Sequence, residues 1–117
     1  MSFVLINKKA KREYEILDTY VAGIVLSGPE VKSLRLGRAN IGDAYADPRE
    51  GEIWLINCHI SEYFNAQKEF QFSPTRPRKL LLHKKEIRKL QGSVQKQGLT
   101  LIVLKIFFNN KGIAKID

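Results

Sequence analysis

The chain has 117 residues, of which 44% are hydrophobic and 27% are charged, and its formal net charge is +8 at pH 7. This length and composition fit one globular domain, residues 1–117, that buries its own core. Cys58 is the only cysteine, which excludes an intramolecular disulfide, and no apolar run reaches the roughly 20 residues of a membrane-spanning helix. We therefore expect a cytoplasmic protein with no membrane partner.

The first third of the chain predicts an arm, a strand and a helix. Residues 1–12 read as a basic N-terminal arm. Residues 14–26 are rich in β-branched and aromatic residues and predict a strand that is apolar on both faces, with a bend or bulge at Gly23. A short helix is expected from Pro29, which suits a first helical turn, to Gly37, which suits a helix end.

The rest of the chain predicts further short strands and one longer helix. In chain order these are strands at 41–46 and 52–57 joined by a turn at 47–51, a short strand at 59–64, an ambiguous stretch at 65–72, a strand or extended loop at 78–82, a helix at 84–97 ended by Gly98, a core strand at 100–108, a turn at 109–112 and a last strand at 113–117.

These elements predict a mainly β fold. About six short strands with two or three inserted helices are typical of an oligonucleotide-binding (OB-like) closed antiparallel barrel. Periodicity does not distinguish this barrel from another small α+β barrel, so both remain open at this point.

The positive charge is sorted along the chain. Three stretches hold fourteen of the twenty Lys and Arg residues, whereas the six acidic residues between 43 and 69 meet only two basic ones. The three stretches contain Lys8, Lys9, Lys11 and Arg12; Lys32, Arg35 and Arg38; and Arg76, Arg78, Lys79, Lys84, Lys85, Arg88 and Lys89. Such a distribution favours a polyanionic partner, nucleic acid or anionic lipid, over a charge that serves solubility alone.

Catalytic patterns are scarce. Cys58 and His59 are neighbours on an expected strand, so their side chains point to opposite faces and do not form a nucleophile–base pair. Neither a zinc-ligand spacing nor a phosphate-binding glycine loop occurs, and we expect no metal and no cofactor. A ribonuclease that uses His59 and His83 as base and acid is the one enzymatic alternative left open.

A binding function has better support in the sequence. Residues 76–79 and 83–85 lie where a loop leads into the start of a helix, and a helix N-terminus beside fixed cations is suited to a phosphate. Two alternatives stay open: a solvated basic helix face, and a structural or ribosome-surface protein that uses its barrel for protein contacts.

Three blocks of the sequence resemble one known family, small protein B (SmpB), whose members bind transfer-messenger RNA. The blocks are Asn7-Lys8-Lys9-Ala10 followed by Tyr14-Glu15-Ile16; Ala22-Gly23-Ile24 followed by Gly28-Pro29-Glu30-Val31-Lys32-Ser33-Leu34-Arg35; and Arg78-Lys79-Leu80-Leu81-Leu82-His83-Lys84 with Glu86. Their order and spacing match the family along almost the whole chain.

The resemblance implies a non-enzymatic OB-like barrel that binds the tRNA-like domain of transfer-messenger RNA around its D-loop and elbow. It also implies delivery of that RNA to a stalled ribosome together with elongation factor Tu. The RNA-binding residues that it implies are Asn7, Lys8, Lys9 and Arg12 in the arm; Glu30, Lys32, Ser33 and Arg35 on the first helix; and Arg78, Lys79, Leu81, His83 and Lys84 at the other edge. Two alternatives stay open: Leu81 packs the barrel instead of an unstacked base, and Glu30 is a helix-start charge with no RNA role.

The chain departs from the family pattern at two places. Val21 stands where family members usually carry Glu before the Ala-Gly pair, so an RNA contact by that carboxylate is absent or replaced. The sequence stops at Asp117, whereas the family continues into a basic tail that enters the ribosome's decoding site. We therefore expect the chain as given to bind the RNA and to be impaired in ribosome rescue.

Overall fold

The computed structural model describes residues 4–8, 18–62, 73–107 and 113–116. Within these ranges it contains nine strands and two helices. The strands are β1 (Val4–Ile6), β2 (Tyr20–Ile24), β3 (Ala39–Asn40), β4 (Tyr45–Arg49), β5 (Glu52–Ile56), β6 (His59–Ile60), β7 (Arg78–Leu81), β8 (Leu101–Phe107) and β9 (Ile113–Ile116), and the helices are α1 (Gly28–Arg35) and α2 (Lys84–Gln97). The arm beyond Lys8 and the predicted elements at 65–72 and 109–112 lie outside the described residues.

Seven of these strands form one antiparallel sheet in the order β1-β8-β4-β5-β7-β2-β9. The last strand, β9, also pairs with β8, so the sheet is curled. The ladders between β4 and β8 and between β2 and β7 contain only two residue pairs each, so these are the shortest strand pairings of the curled sheet. The predicted β-rich, OB-like antiparallel fold is confirmed, and β3 and β6 form a separate two-stranded sheet.

The core lies inside the curl and is built by alternating residues. Ile53 and Leu55 of β5, Leu80 of β7 and Val103 of β8 are fully buried. Helix α2 covers this core with Ile87 and Leu90, which recur at the helical spacing expected from the sequence. The helix predicted at 84–97 and its end at Gly98, which has a φ of +66°, are both confirmed.

The hairpin between β4 and β5 corrects the sequence prediction. The first strand runs from Tyr45 to Arg49 instead of 41–46, and the turn consists of Glu50 and Gly51 alone. Both turn residues have positive φ, +53° and +76°, as a tight type I′ turn requires. Pro48 is tolerated in β4 because β8 pairs with β4 only at Tyr45 and Ala46, so the proline lies beyond that ladder.

The expected bulge at Gly23 is also corrected. The described ladders of β2 run through Gly23 in register, opposite Leu81 of β7 and Ile113 of β9, and the irregular register lies in β8 between Val103 and Lys105. A Cβ atom at position 23 would come within 3.3 Å of the Leu81 Cβ. Glycine is therefore favoured at this position by the close approach of Leu81, and no bulge is needed to explain it.

Candidate nucleic-acid interface

The outer face of β2 and β7 carries exposed apolar side chains. Along β7, Arg78 and Leu80 are buried, so Lys79 and Leu81 point outward, and Leu81 is 53% exposed. On the β2 side, Ala22 is buried, whereas Val21 and Val25 are 48% and 46% exposed. We call the face formed by Val21, Val25, Lys79 and Leu81 the platform.

The two helices begin at opposite ends of the platform because β2 and β7 are antiparallel. The Val25 amide donates to the Lys79 carbonyl at 3.0 Å, and α1 starts three residues later at Gly28. At the other end, Leu81 is followed three residues later by Lys84, the first residue of α2. The second and third basic stretches of the sequence therefore flank the same apolar surface.

A buried ionic network joins α1 to β7. The Arg78 guanidinium is fully buried, and its Nε donates to Glu30 Oε2 at 2.5 Å. Its other nitrogens donate to the carbonyl oxygens of Cys58 at 2.7 Å and Pro74 at 3.0 Å. Arg76 donates to both oxygens of the same carboxylate, with Nε 3.0 Å from Oε2. The Glu30 carboxylate thus accepts hydrogen bonds from two arginines, and these bonds hold all three side chains in place.

Glu30 also closes the first turn of α1 through a capping box. The Ser27 hydroxyl accepts from the Glu30 amide at 3.3 Å, and the Ser27 amide donates to Glu30 Oε1 at 2.8 Å. Burial by itself raises the pKa of Glu30, but the hydrogen bonds from Arg76, Ser27 and Arg78 outweigh it, so that the pKa lies below its ordinary value of 4.5. The carboxylate is therefore ionised at neutral pH, and it fixes the start of α1 against β7.

The platform has a basic rim of exposed side chains. Lys32 and Arg35 are exposed on α1, and His83 and Lys84 are exposed at the start of α2. Lys79, on the platform itself, has a side chain that is 41% exposed, and its Nζ lies 3.6 Å from a carboxylate oxygen of Glu52. This surface pair is too open to water to hold Lys79 strongly.

The end of β1 is anchored beside the segment that follows α1. The Asn7 side-chain amide donates to the carbonyl oxygens of Val103 at 3.0 Å and Ile41 at 3.3 Å, and its backbone amide donates to the Leu104 carbonyl at 2.8 Å. Lys8 follows and is exposed, next to Asn40 and Gly42. Lys9 and Arg12 lie outside the described residues.

Four of the residues expected at the RNA surface are buried in this structure. They are Asn7, Glu30, Ser33 and Arg78, with exposures of 6% or less. Their side chains are not accessible in this conformation, so the structure gives no support for direct RNA contact by these four residues. For three of them the structure shows the alternative: Asn7 anchors the arm, and Glu30 and Arg78 join α1 to β7. The Ser33 hydroxyl has no hydrogen-bond partner among the residues that the structure describes.

Three residues of the site were not among the RNA-binding residues that the family resemblance implied, although Arg76 lies in the segment 76–79 that was expected to suit a phosphate. Val21 and Val25 were detectable in the sequence, because the predicted strand at 14–26 is apolar on both faces. Only one face of a barrel strand faces the core, so the other face must expose apolar residues. Arg76 belongs to the third basic stretch, but its carboxylate partner lies 46 residues earlier in the chain. No local pattern links residues so far apart.

The candidate catalytic side chains of the sequence are one buried thiol and two exposed imidazoles. Burial raises the pKa of the Cys58 thiol to about 11, which keeps it protonated and unreactive at neutral pH. His59 is exposed on β6, and His83 is exposed at the start of α2. Among the described residues, no group of three or more His, Cys, Asp and Glu side chains is placed to hold a metal ion. The two helices of these ranges are too short or too polar to cross a membrane.

Comparisons with known proteins agree with the resemblance seen in the sequence. A family model described as "SmpB protein" matches residues 4–117. A protein named "SsrA-binding protein" from Rhodopseudomonas palustris (strain BisB18) is 54% identical over 111 residues, which are 95% of this chain and 70% of that protein. One of the same name from Agrobacterium fabrum is 53% identical over 95% of this chain and 69% of its own length.

A solved structure is similar in fold as well as in sequence. It is described as "tmRNA-SmpB: a journey to the center of the bacterial ribosome", and it matches with a TM-score of 0.78 and 45% identity. The match covers 97% of this chain and 80% of the other. Sequence and fold therefore point to the same family.

Proposed function

The chain belongs to the SmpB family, and from that membership we propose that it binds transfer-messenger RNA through the platform and its basic rim. The observation that carries the proposal is the exposed apolar surface of Val21, Val25 and Leu81 between two sets of exposed cations. The relatives named SsrA-binding proteins and the tmRNA-SmpB structure support the identity of the RNA.

The platform has the chemistry of a surface that recognises RNA shape. Lys32, Arg35 and Lys84 neutralise phosphates on either side, which positions the RNA without reading its sequence. Leu81 offers an apolar contact to an unstacked base or to the face of a ribose, as single-stranded and looped RNA permits. We therefore propose that the partner surface is the D-loop and elbow of the tRNA-like domain, where bases leave the regular stack.

The buried residues have a positioning role in this proposal. Glu30, Arg76 and Arg78 hold α1 beside β7, so that the cations of α1 keep a fixed distance from Lys79 and Leu81. Asn7 does the same for the start of the arm, where Lys8 is exposed, and we propose further phosphate contacts by Lys9 and Arg12. Replacing a positioning residue therefore weakens RNA binding through the fold and not through a lost contact.

The wider activity follows the family. We propose that the protein acts in trans-translation without catalysing a reaction, carrying transfer-messenger RNA together with elongation factor Tu to stalled ribosomes. Its site of action is then the cytoplasm, where translation takes place. It needs no metal and no cofactor in this role.

A competition titration tests the proposed function. The labelled tRNA-like domain is bound to the full 117-residue chain, and unlabelled tRNA or duplex RNA of matched length is added as competitor. We expect the tRNA-like domain to be preferred and its affinity to fall steeply as salt rises, because several phosphate contacts release counterions. Equal competition by duplex RNA would contradict the proposal and favour a barrel whose RNA affinity is incidental. Cleavage of the RNA that is lost in His83→Ala would favour a nuclease.

A further inference from the structure

A groove of about 710 Å³ lies along α2, away from the platform. Tyr20 lines it, whereas Val21, the next residue of β2, belongs to the platform. Neighbouring residues of a strand point to opposite faces, so the groove opens on another side of the molecule than the platform does. The two surfaces share no residue.

The groove has cationic edges and an apolar floor. Arg88, Lys89 and Lys96 of α2 line it, and the half-buried side chains of Tyr20 and Leu99 supply its apolar floor. Arg88 and Lys96 form no ion pair within the described ranges. They are eight residues apart, which corresponds to about 12 Å along the helix axis. That separation suits a strand with successive phosphates better than a single anion.

One acidic residue, Asp18, also lines the groove, and Lys89 lies beside its carboxylate. The Tyr20 hydroxyl donates to Asp18 at 3.3 Å, and the Lys89 ammonium lies 3.8 Å from the same carboxylate and 5.9 Å from the centre of the Tyr20 ring. Asp18 and Lys89 thus compensate each other at one edge. No described carboxylate pairs with Arg88 or Lys96, so their charges can attract a polyanion.

Gly92 sits between these two cations, one helical turn from each. Glycine inside a helix is destabilising, so a structural reason is expected for it. None is found in the packing, since a Cβ atom at this position would meet nothing within 4 Å. The absence of a side chain leaves the helix backbone open to the groove, where a sugar-phosphate chain can approach closely between Arg88 and Lys96.

We propose that this groove binds a short single-stranded RNA segment, with phosphates on Arg88 and Lys96 and one base against the apolar floor. Arginine and lysine beside apolar and aromatic surface form the usual combination for single strands. This second RNA surface goes beyond the proposed function of the platform and does not depend on it.

The test uses a labelled oligouridylate and the full chain. In the variant Arg88→Gln/Lys96→Gln, we expect the affinity to fall roughly tenfold and the salt slope to flatten by about 0.7 per lost phosphate contact. The matched control, Arg49→Gln/Lys85→Gln, also loses one exposed arginine and one exposed lysine and should bind within about twofold of the unmodified chain, because neither residue lines the groove.

Amide chemical shifts locate the oligonucleotide. Shifts at Gly92, Ser93 and Thr100, with Gly23 and Leu81 unmoved, support the groove. Equal losses in the two double variants, equal affinity for uridine monophosphate or an acidic peptide, or contacts from residues 9–17 that fill the groove would each overturn the proposal. Binding of the tRNA-like domain is measured on the same samples, so that failure of the groove is separated from failure of the platform.

Discussion

The junction between α1 and β7 and the groove along α2 use the same residue type in opposite ways. Arg78 at the junction is fully buried and donates to the Glu30 carboxylate, whereas Arg88 in the groove is exposed and has no ion-pair partner in the described residues. Both come from one basic stretch of the sequence. One basic run therefore contains both buried cations that hold the fold together and exposed cations that are accessible to a partner. The difference between them is whether a buried carboxylate lies beside the cation.

The largest expected effect is a difference in the free energy of unfolding between variants at these two arginines. Arg78→Ala leaves Glu30 with one arginine fewer and removes the donors to the Cys58 and Pro74 carbonyls, so we expect a loss of about 3–5 kcal/mol in the free energy of unfolding. The matched variant Arg88→Ala should change it by less than about 0.5 kcal/mol. Urea unfolding followed by circular dichroism measures both, and similar losses in the two variants would refute the contrast.

The next effect is the pH dependence of the junction. A carboxyl whose pKa is lowered by folding stabilises fully above its ordinary pKa, near 4.5, and this contribution disappears as the pH falls through the folded-state value. We therefore expect Glu30→Gln to be much less stable than the unmodified chain at pH 7 and the gap to narrow below pH 4.5. Glu52→Gln, at a surface pair, is the control and should show a small gap throughout. A gap for Glu30→Gln that stays constant with pH would exclude the ionic role.

A smaller effect is expected on the platform and concerns binding, not stability. Leu81→Ala keeps the Cβ atom that packs by Gly23 but removes exposed apolar surface, so we expect about 1 kcal/mol less affinity for the tRNA-like domain with an unchanged unfolding midpoint. Leu36→Ala removes a leucine that is 59% exposed at the end of α1, off the platform. If Leu36→Ala weakened RNA binding as much as Leu81→Ala, the apolar contact would not be specific.

The smallest effect concerns the two glycines of α2. Gly92→Ala should stabilise the protein by about 0.5–1 kcal/mol, because the added methyl group meets open space and alanine favours the helix. Gly98→Ala should destabilise it by a similar amount, since Gly98 ends the helix at a φ of +66°. Thermal unfolding of the two variants gives the sign of each change. Destabilisation by Gly92→Ala would show that this glycine has a packing role that the structure does not contain.

Local patterns predicted the elements whose signals lie within a few residues. Helix α2 follows from the spacing of Ile87, Leu90 and Val94 and from Gly98, and the structure reproduces it residue for residue. The β4–β5 hairpin was misjudged because Pro48 looks like a turn residue when its strand pairing is not known. Whether proline is tolerated in a strand depends on a neighbouring strand from a distant part of the sequence.

The sequence predicted which segments lie around the platform, but not which of their residues are exposed and which are buried. The basic stretches and family blocks located Lys32, Arg35, Lys79 and Leu81, which are exposed or half-exposed around the platform. The same blocks contain Glu30 and Arg78, which pair across 48 residues and are buried. Burial depends on which segments meet in three dimensions, so one sequence does not distinguish an exposed cation from a buried one that positions its neighbours.

One comparison of two variants tests most directly whether the platform binds the RNA. The platform variant is Lys32→Gln/Arg35→Gln/Lys79→Gln and the groove variant is Arg88→Gln/Lys89→Gln/Lys96→Gln, and each loses one arginine and two lysines. Affinity for the tRNA-like domain of transfer-messenger RNA is measured over a range of salt concentrations. We predict a loss of at least roughly tenfold and a flatter salt slope for the platform variant, with the groove variant within about threefold of the unmodified chain. Equal losses in both variants would contradict the account, because binding would then follow net charge and not a particular surface.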